Sequence, residues 1–147
     1  MKSQLPILVI VALLLTIALL AVVPRARSAE QDKLPRPVTP APAAKRVEVE
    51  EFDKLRQNKA NVVLDVRTER EFKDGHIPGA INIDVKAPDF AEKSAKLDKS
   101  KTYLVHCAAG GRSATACGKL SQAGFTNLFD LAPGFHGWEK AGKPVEK

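Results

Sequence analysis

Two short segments, residues 61–65 (NVVLD) and 102–106 (TYLVH), carry apolar side chains at consecutive positions rather than at alternate ones. Successive side chains of a strand point to opposite faces, so such a run needs apolar cover on both sides, as in a parallel sheet enclosed by helices. The intervening segments supply the rest of that architecture. Residues 47–49 read as a short strand, and residues 50–58 as a helix with Phe52 and Leu55 on one face. Thr68 followed by Glu71 has capping-box spacing, which predicts a helix over 69–74 ended by Gly75. Further strands are expected at 80–83 and 127–131. Further helices are expected at 89–97, started by Pro88, at 113–123, ended by Gly124, and at 134–141. The predicted fold is α/β, with a mostly parallel five-stranded central sheet and helices on both faces.

Length and charge narrow the function classes. A chain of 147 residues holds one domain of ordinary size plus extras, which excludes an enzyme with a separate cofactor domain. The net charge of +6 is concentrated at the start. Residues 1–46 hold seven Lys/Arg against Glu30 and Asp32, whereas residues 47–147 hold 16 basic and 15 acidic side chains. No stripe of basic residues interleaved with aromatics occurs, so no nucleic-acid partner is expected.

Leu5 to Val23 is apolar except for Pro6 and Thr16. Its length lies between a signal-peptide core and a bilayer span, so residues 1–28 are expected to be either a signal peptide, cut after Ser28, or a membrane anchor through residues 5–23. Lys2 and the small residues Ala26 and Ser28 suit export to the periplasm or another extracytoplasmic space, while Arg25 and Arg27 oppose it. Residues 29–45, with four prolines and no aromatic residue, read as a flexible linker, leaving 46–147 as the folded domain.

Only Cys107 and Cys117 are present, without CxxC, HExxH or paired histidines, so neither a disulfide framework nor a metal site is expected, and no cofactor is implied. Cys107 ends an apolar strand and opens the run Ala108, Ala109, Gly110, Gly111, Arg112, Ser113 into a helix. Small side chains let the backbone wrap the sulfur. Inward amides, the helix N-terminus and the Arg112 cation would then favour a thiolate, making Cys107 a candidate nucleophile. Ser113 is expected to cap the helix. Asp65 and Arg67, at the end of the neighbouring strand, are expected to order the loop through hydrogen bonds. His76 is expected to hold a turn, and His106, Cys117, Phe135 and Trp138 to be structural.

Three segments carry a family resemblance: DVRTEREFKDGHIPGAINI (65–83), CAAGGRS (107–113) and LAPGFHGW (131–138). In this order and spacing the chain resembles a single-domain rhodanese, and it departs from that pattern at Pro133, where many members carry the first of two glycines. The resemblance implies a sulfurtransferase in which Cys107 takes a sulfane sulfur from a small anion such as thiosulfate, or from a persulfide. It implies transfer of that sulfur to cyanide or a thiol. Loop length bears on the alternatives, because cysteine phosphatases and arsenate-reductase relatives carry one residue more between the cysteine and the arginine. The shorter loop here has room for one sulfur atom rather than a phosphate. A catalytically silent binding module is the other alternative.

Overall fold

A computed structural model describes residues 44–147, so the expected leader and nearly all of the expected linker lie outside the described residues. The domain contains β1 (Lys45–Val47), α1 (Val49–Arg56), β2 (Val62–Asp65), α2 (Glu69–Asp74), β3 (Ile81–Asn82), α3 (Phe90–Ala95), β4 (Tyr103–His106), α4 (Gly111–Gln122), β5 (Leu128–Leu131) and α5 (Gly134–Lys140). The strands form one sheet in the order β1-β5-β4-β2-β3, and every pairing is parallel. Among the described residues, no helix is long and apolar enough to cross a membrane.

The consecutive apolar runs divide between two cores, as strand geometry requires. Leu64, Val66, Tyr103, Val105 and Cys107 pack on one face with Phe90 and with the α4 residues Ala116, Cys117 and Leu120. Val63 and Leu104 pack on the other face with Phe52 of α1 and with Phe135 and Trp138 of α5. Trp138 is fully buried, lies edge-on to Phe52 and donates its ring N–H to the Pro144 carbonyl at 2.8 Å. Burying an aromatic ring of this kind stabilises by roughly 3 kcal/mol.

Several boundaries differ from the sequence reading by one or two residues, and three of the starts have a visible cause. The first strand is 45–47 rather than 47–49, because Glu48 is the N-cap of α1 and Val49 packs into the core as a helical residue. Lys45, placed at the end of the expected linker, therefore begins β1. The third helix begins at Phe90, since the Phe90 amide first closes a turn onto the Ala87 carbonyl. The fourth begins at Gly111, with Gly110 as N-cap at φ +85°. Ser113 thus sits inside the first turn and does not cap the helix.

Candidate active site

The carboxyl ends of β4 and β2 meet in register, Asp65 opposite His106, and the chain leaving β4 forms the Cys107 loop. That loop is locked to the turn between β5 and α5. The amides of Phe135 and His136 donate to the carbonyls of Cys107 and Ala108 at 2.7 and 3.0 Å. Close approach demands glycine on both sides of the lock. Gly134, at φ +62°, faces Ala108, and a Cβ there would stand 2.5 Å from the Ala108 carbonyl oxygen. A Cβ on Gly110 would stand 2.2 Å from the Ala132 oxygen. Pro133, where many members of the resembled family carry the first of two glycines, has φ −82°, near the value the proline ring imposes. The glycine that the geometry requires is the one retained.

With its carbonyls turned outward, the loop turns donors inward. The Gly110 amide donates to Cys107 Sγ at 3.2 Å. Burial pushes the Cys107 thiol up, but hydrogen bonds from the Ser113 hydroxyl and from the amides of Ser113, Ala109 and Gly110 outweigh it and hold the thiol below its ordinary value. The Ser113 hydroxyl also donates to the Gly110 carbonyl at 3.2 Å. Having one proton, it can turn from that carbonyl to the sulfur as the sulfur ionises.

Arg112 lies elsewhere than the loop centre. Its two terminal nitrogens donate to the Glu71 carboxylate at 2.8 and 2.6 Å, a bidentate pair between the start of α4 and the start of α2. Glu71 also closes the predicted capping box, accepting from the Thr68 amide at 3.0 Å, and the Arg112 guanidinium holds its carboxyl well below the usual range. Cys107 and Arg112 still attract one another electrostatically. The cation therefore acts on the sulfur as a fixed field and not as a free hand.

Asp65 and Arg67 form a buried pair at 2.6 Å, and Arg67 also donates to the Gly75 carbonyl at 2.7 Å. They brace the β2–α2 connection and, among the described residues, make no hydrogen bond to the Cys107 loop. Their link to it runs through Phe135, whose ring lies 4.0 Å from the Arg67 guanidinium. His76 donates to the Phe72 carbonyl at 3.0 Å and stacks on the Phe72 ring, which gives it the expected turn-holding place. His106 is fully buried, between Phe52 and Phe135, and neither ring nitrogen has a hydrogen-bond partner. Burial drives it down to about 4 against the opposing charge of Asp65, so it is neutral. Cys117 is buried on α4, and burial first, then the charges of Asp130 and Cys107, push it up to about 12.

Two residues of this neighbourhood have a place in the site that the sequence reading did not give them. Glu71 was recognised only as a cap, because its partner lies 41 residues away. Asp130 is buried at the end of β5 beside Ser113 and within the field of Cys117. Burial pushes its carboxyl up, with Ser113 and the Arg46 guanidinium acting against that. No group of three or more His, Cys, Asp or Glu able to hold a metal occurs among the described residues. Chemically, the arrangement is a small amide-lined cup around one ionisable sulfur, suited to a nucleophile that accepts one atom.

A family model described as "Rhodanese-like domain" matches residues 48–141. Over 93 residues, 56% of this chain, the sequence is 41% identical to the chloroplastic thiosulfate sulfurtransferase 16 of Arabidopsis thaliana, of which it covers 78%. It is 33% identical over 94 residues to the thiosulfate sulfurtransferase GlpE of Pseudomonas savastanoi pv. phaseolicola, covering 64% of this chain and 86% of that one. Among solved structures, a rhodanese-related protein from Thermoplasma volcanium matches with a TM-score of 0.62 at 33% identity, covering 69% of this chain and 97% of that one.

Proposed function

Because the chain belongs to the rhodanese-like domain family, we propose that it is a sulfurtransferase working through a persulfide on Cys107. The observation that carries this reading is the cup itself, with the Gly110 amide on Sγ and the Ser113 hydroxyl and amide beside it. In the first half-reaction the Cys107 thiolate attacks the outer sulfur of thiosulfate. The new S–S bond forms as the donor S–S bond breaks, sulfite leaves with its electron pair, and the persulfide anion remains. In the second half-reaction cyanide or a thiolate attacks that outer sulfur and Cys107 leaves as thiolate. The Ala109, Gly110 and Ser113 amides stabilise charge on sulfur throughout, so neither step calls for a general base. The Ala108 and Gly111 side chains, a methyl group and a hydrogen, add little bulk around the cup. Arg112, held by Glu71, supplies a fixed positive field at its rim.

The deciding measurement is mass spectrometry of the reduced chain after thiosulfate, together with thiosulfate:cyanide transfer. The expected result is one added sulfur atom on Cys107, removed by cyanide, with thiocyanate released. A folded, reduced chain that gains no sulfur from thiosulfate or from a persulfide, or that turns over an aryl phosphate instead, would overturn the reading.

The leader and tether read from the sequence belong to the same proposal: residues 1–28 direct the domain out of the cytoplasm, and the linker that ends before Lys45 holds it at a distance from the exit site. Protease added outside intact spheroplasts should then digest residues 45–147. Protection until lysis would reverse the orientation, and a mature N-terminus at Ala29 would mark cleavage rather than anchoring.

A further inference from the structure

One buried acid of this neighbourhood has no part in the two half-reactions. Asp130 is the third of the four β5 residues. Alternation along the strand puts it on the side of Leu128, which packs with α4, and opposite Leu131, which packs with Trp138. There its carboxyl meets the side chain of Ser113 and the field of Cys117, both on α4. It is 3% exposed, and its Oδ1 is buried without a hydrogen-bond partner. The cation facing it comes from β1. Arg46 Nε stands 3.7 Å from Oδ2, on a largely exposed side chain that also donates to the Ala132 carbonyl at 3.3 Å. On β4 its neighbour is Val105, whereas His106 lies with Phe52 and Phe135 on the other face of the sheet.

An ionised carboxylate in this place keeps one bare oxygen away from water, which is costly. A protonated one has a donor to give, and Ser113 Oγ beside it is an acceptor. Ser113 has a single hydroxyl proton, and that hydroxyl also reaches the Cys107 sulfur. Two acids therefore share one hydroxyl. Cys117, pushed up to about 12, stays protonated and takes no part. Arg112, paired with Glu71, acts on Cys107 from the start of α4.

We propose that Asp130 is a positioning residue that holds the proton Cys107 gives up, with the Ser113 hydroxyl joining the two groups. The inference rests on the persulfide reading above and supplies the state of the nucleophile from which its first step starts. The Sγ–H bond breaks as an O–H bond forms at Ser113, while the former Ser113 proton passes to the Asp130 carboxylate. The result is a thiolate facing a hydroxyl donor, and an acid that donates back to Ser113. The pair carries one negative charge before and after, and no oxidant or reductant is consumed. This handover precedes the attack on the sulfur donor, which itself calls for no base. Burial pushes Asp130 up while the loop donors hold Cys107 down, which brings two acids of ordinarily distant strength toward one another.

The test reads protons on the full-length chain, without sulfur transfer. Thiolate ultraviolet absorbance is followed against pH in the parent and in Asp130→Asn, with Cys107→Ser as the blank. Coupling predicts a two-step rise in the parent, because the first proton lost is shared by the two acids. It predicts a single step in Asp130→Asn, whose amide donates to Ser113 at every pH. That step should lie about one pH unit below the parent's second step, the amount one hydrogen bond to a charged sulfur contributes. Infrared difference spectra give a measure that needs no variant to fold. At neutral pH the parent should show the C=O stretch of a buried carboxylic acid, and alkylating Cys107 to a neutral thioether should weaken it. Coincident single-step curves in the parent and a folded Asp130→Asn, or no acid band in the parent, overturn the assignment and leave the persulfide reading intact. A parent with both signatures that takes no sulfur from any donor keeps the coupled pair and overturns its part in transfer.

Discussion

Cys107 and Cys117 stand ten residues apart, at the mouth and in the middle of the same loop-helix unit, and both are nearly sealed from solvent, at 1% and 3% exposure. Their thiols are nonetheless driven in opposite directions. Cys117 has burial with the charges of Asp130 and Cys107 added to it, and its thiol is pushed up to about 12. Cys107 has burial with hydrogen-bond donors, and its thiol falls below the ordinary value. Burial alone silences a sulfur, and what surrounds it decides whether it can react.

The sharpest way to break that contrast is to delete each sulfur in turn. Cys107→Ser should lower thiosulfate:cyanide transfer by at least ~1000-fold, since the nucleophile itself is gone. Cys117→Ala should leave it within about 3-fold, the effect of a small cavity in the core. Comparable losses in the two variants would refute the division of roles.

His106 extends the contrast to a second element, because it is fully buried with neither ring nitrogen hydrogen-bonded. Its folded value of about 4 lies below that of the unfolded chain, so the unfolded chain takes up the proton first. Stability should therefore fall as pH drops from about 6.5 toward 4, by ~3 kcal/mol from this group. Urea unfolding of the parent beside His106→Phe would check it: the parent should lose more stability over that window, and parallel slopes would contradict the assignment.

Gly134→Ala addresses the lock that aims the donors. Positive φ and the approach to Ala108 together should remove about 2 kcal/mol of stability. The alkylation profile of Cys107 should move toward an ordinary thiol while Cys117 stays inert. An unmoved profile would mean the cup holds its shape without the turn. Ser113→Ala is the mildest cut. Losing one hydrogen bond to a charged sulfur, worth about 1.5 kcal/mol, should raise the Cys107 midpoint by roughly one pH unit and slow transfer about 10-fold at neutral pH. Because the thiolate is the reactive form, the rate should recover at higher pH. A loss that is the same at all pH values would assign Ser113 a purely structural role.

Much of this was legible in the sequence because it is local. The apolar runs at 61–65 and 102–106 required cover on both faces, and the structure supplies it with helices on either side. Thr68 and Glu71 announced their capping box three residues apart. Features that join distant parts of the chain left no such mark. The Glu71–Arg112 pair spans 41 residues, and the contacts of Phe135 and His136 with the Cys107 loop link two separate strand ends. Arg112 was read without its partner for that reason, whereas Ser113 was read as a cap because the helix start was placed two residues late. Val49, apolar at a strand period and at a helical one alike, was assigned to the wrong element because one residue cannot reveal its period.

The lock between the loop and the β5–α5 turn also governs how such a chain could change its chemistry. Two loop carbonyls are pinned by amides of the neighbouring helix, and two glycines permit contact that leaves no space for a methyl group. Lengthening the loop by the one residue that would admit a phosphate would displace at least one of those partners. A switch from single-atom transfer to phosphate or arsenate chemistry would therefore call for a matching change at residues 132–136. Loop length and the distant turn are expected to behave as one inherited unit, with neither free to drift alone.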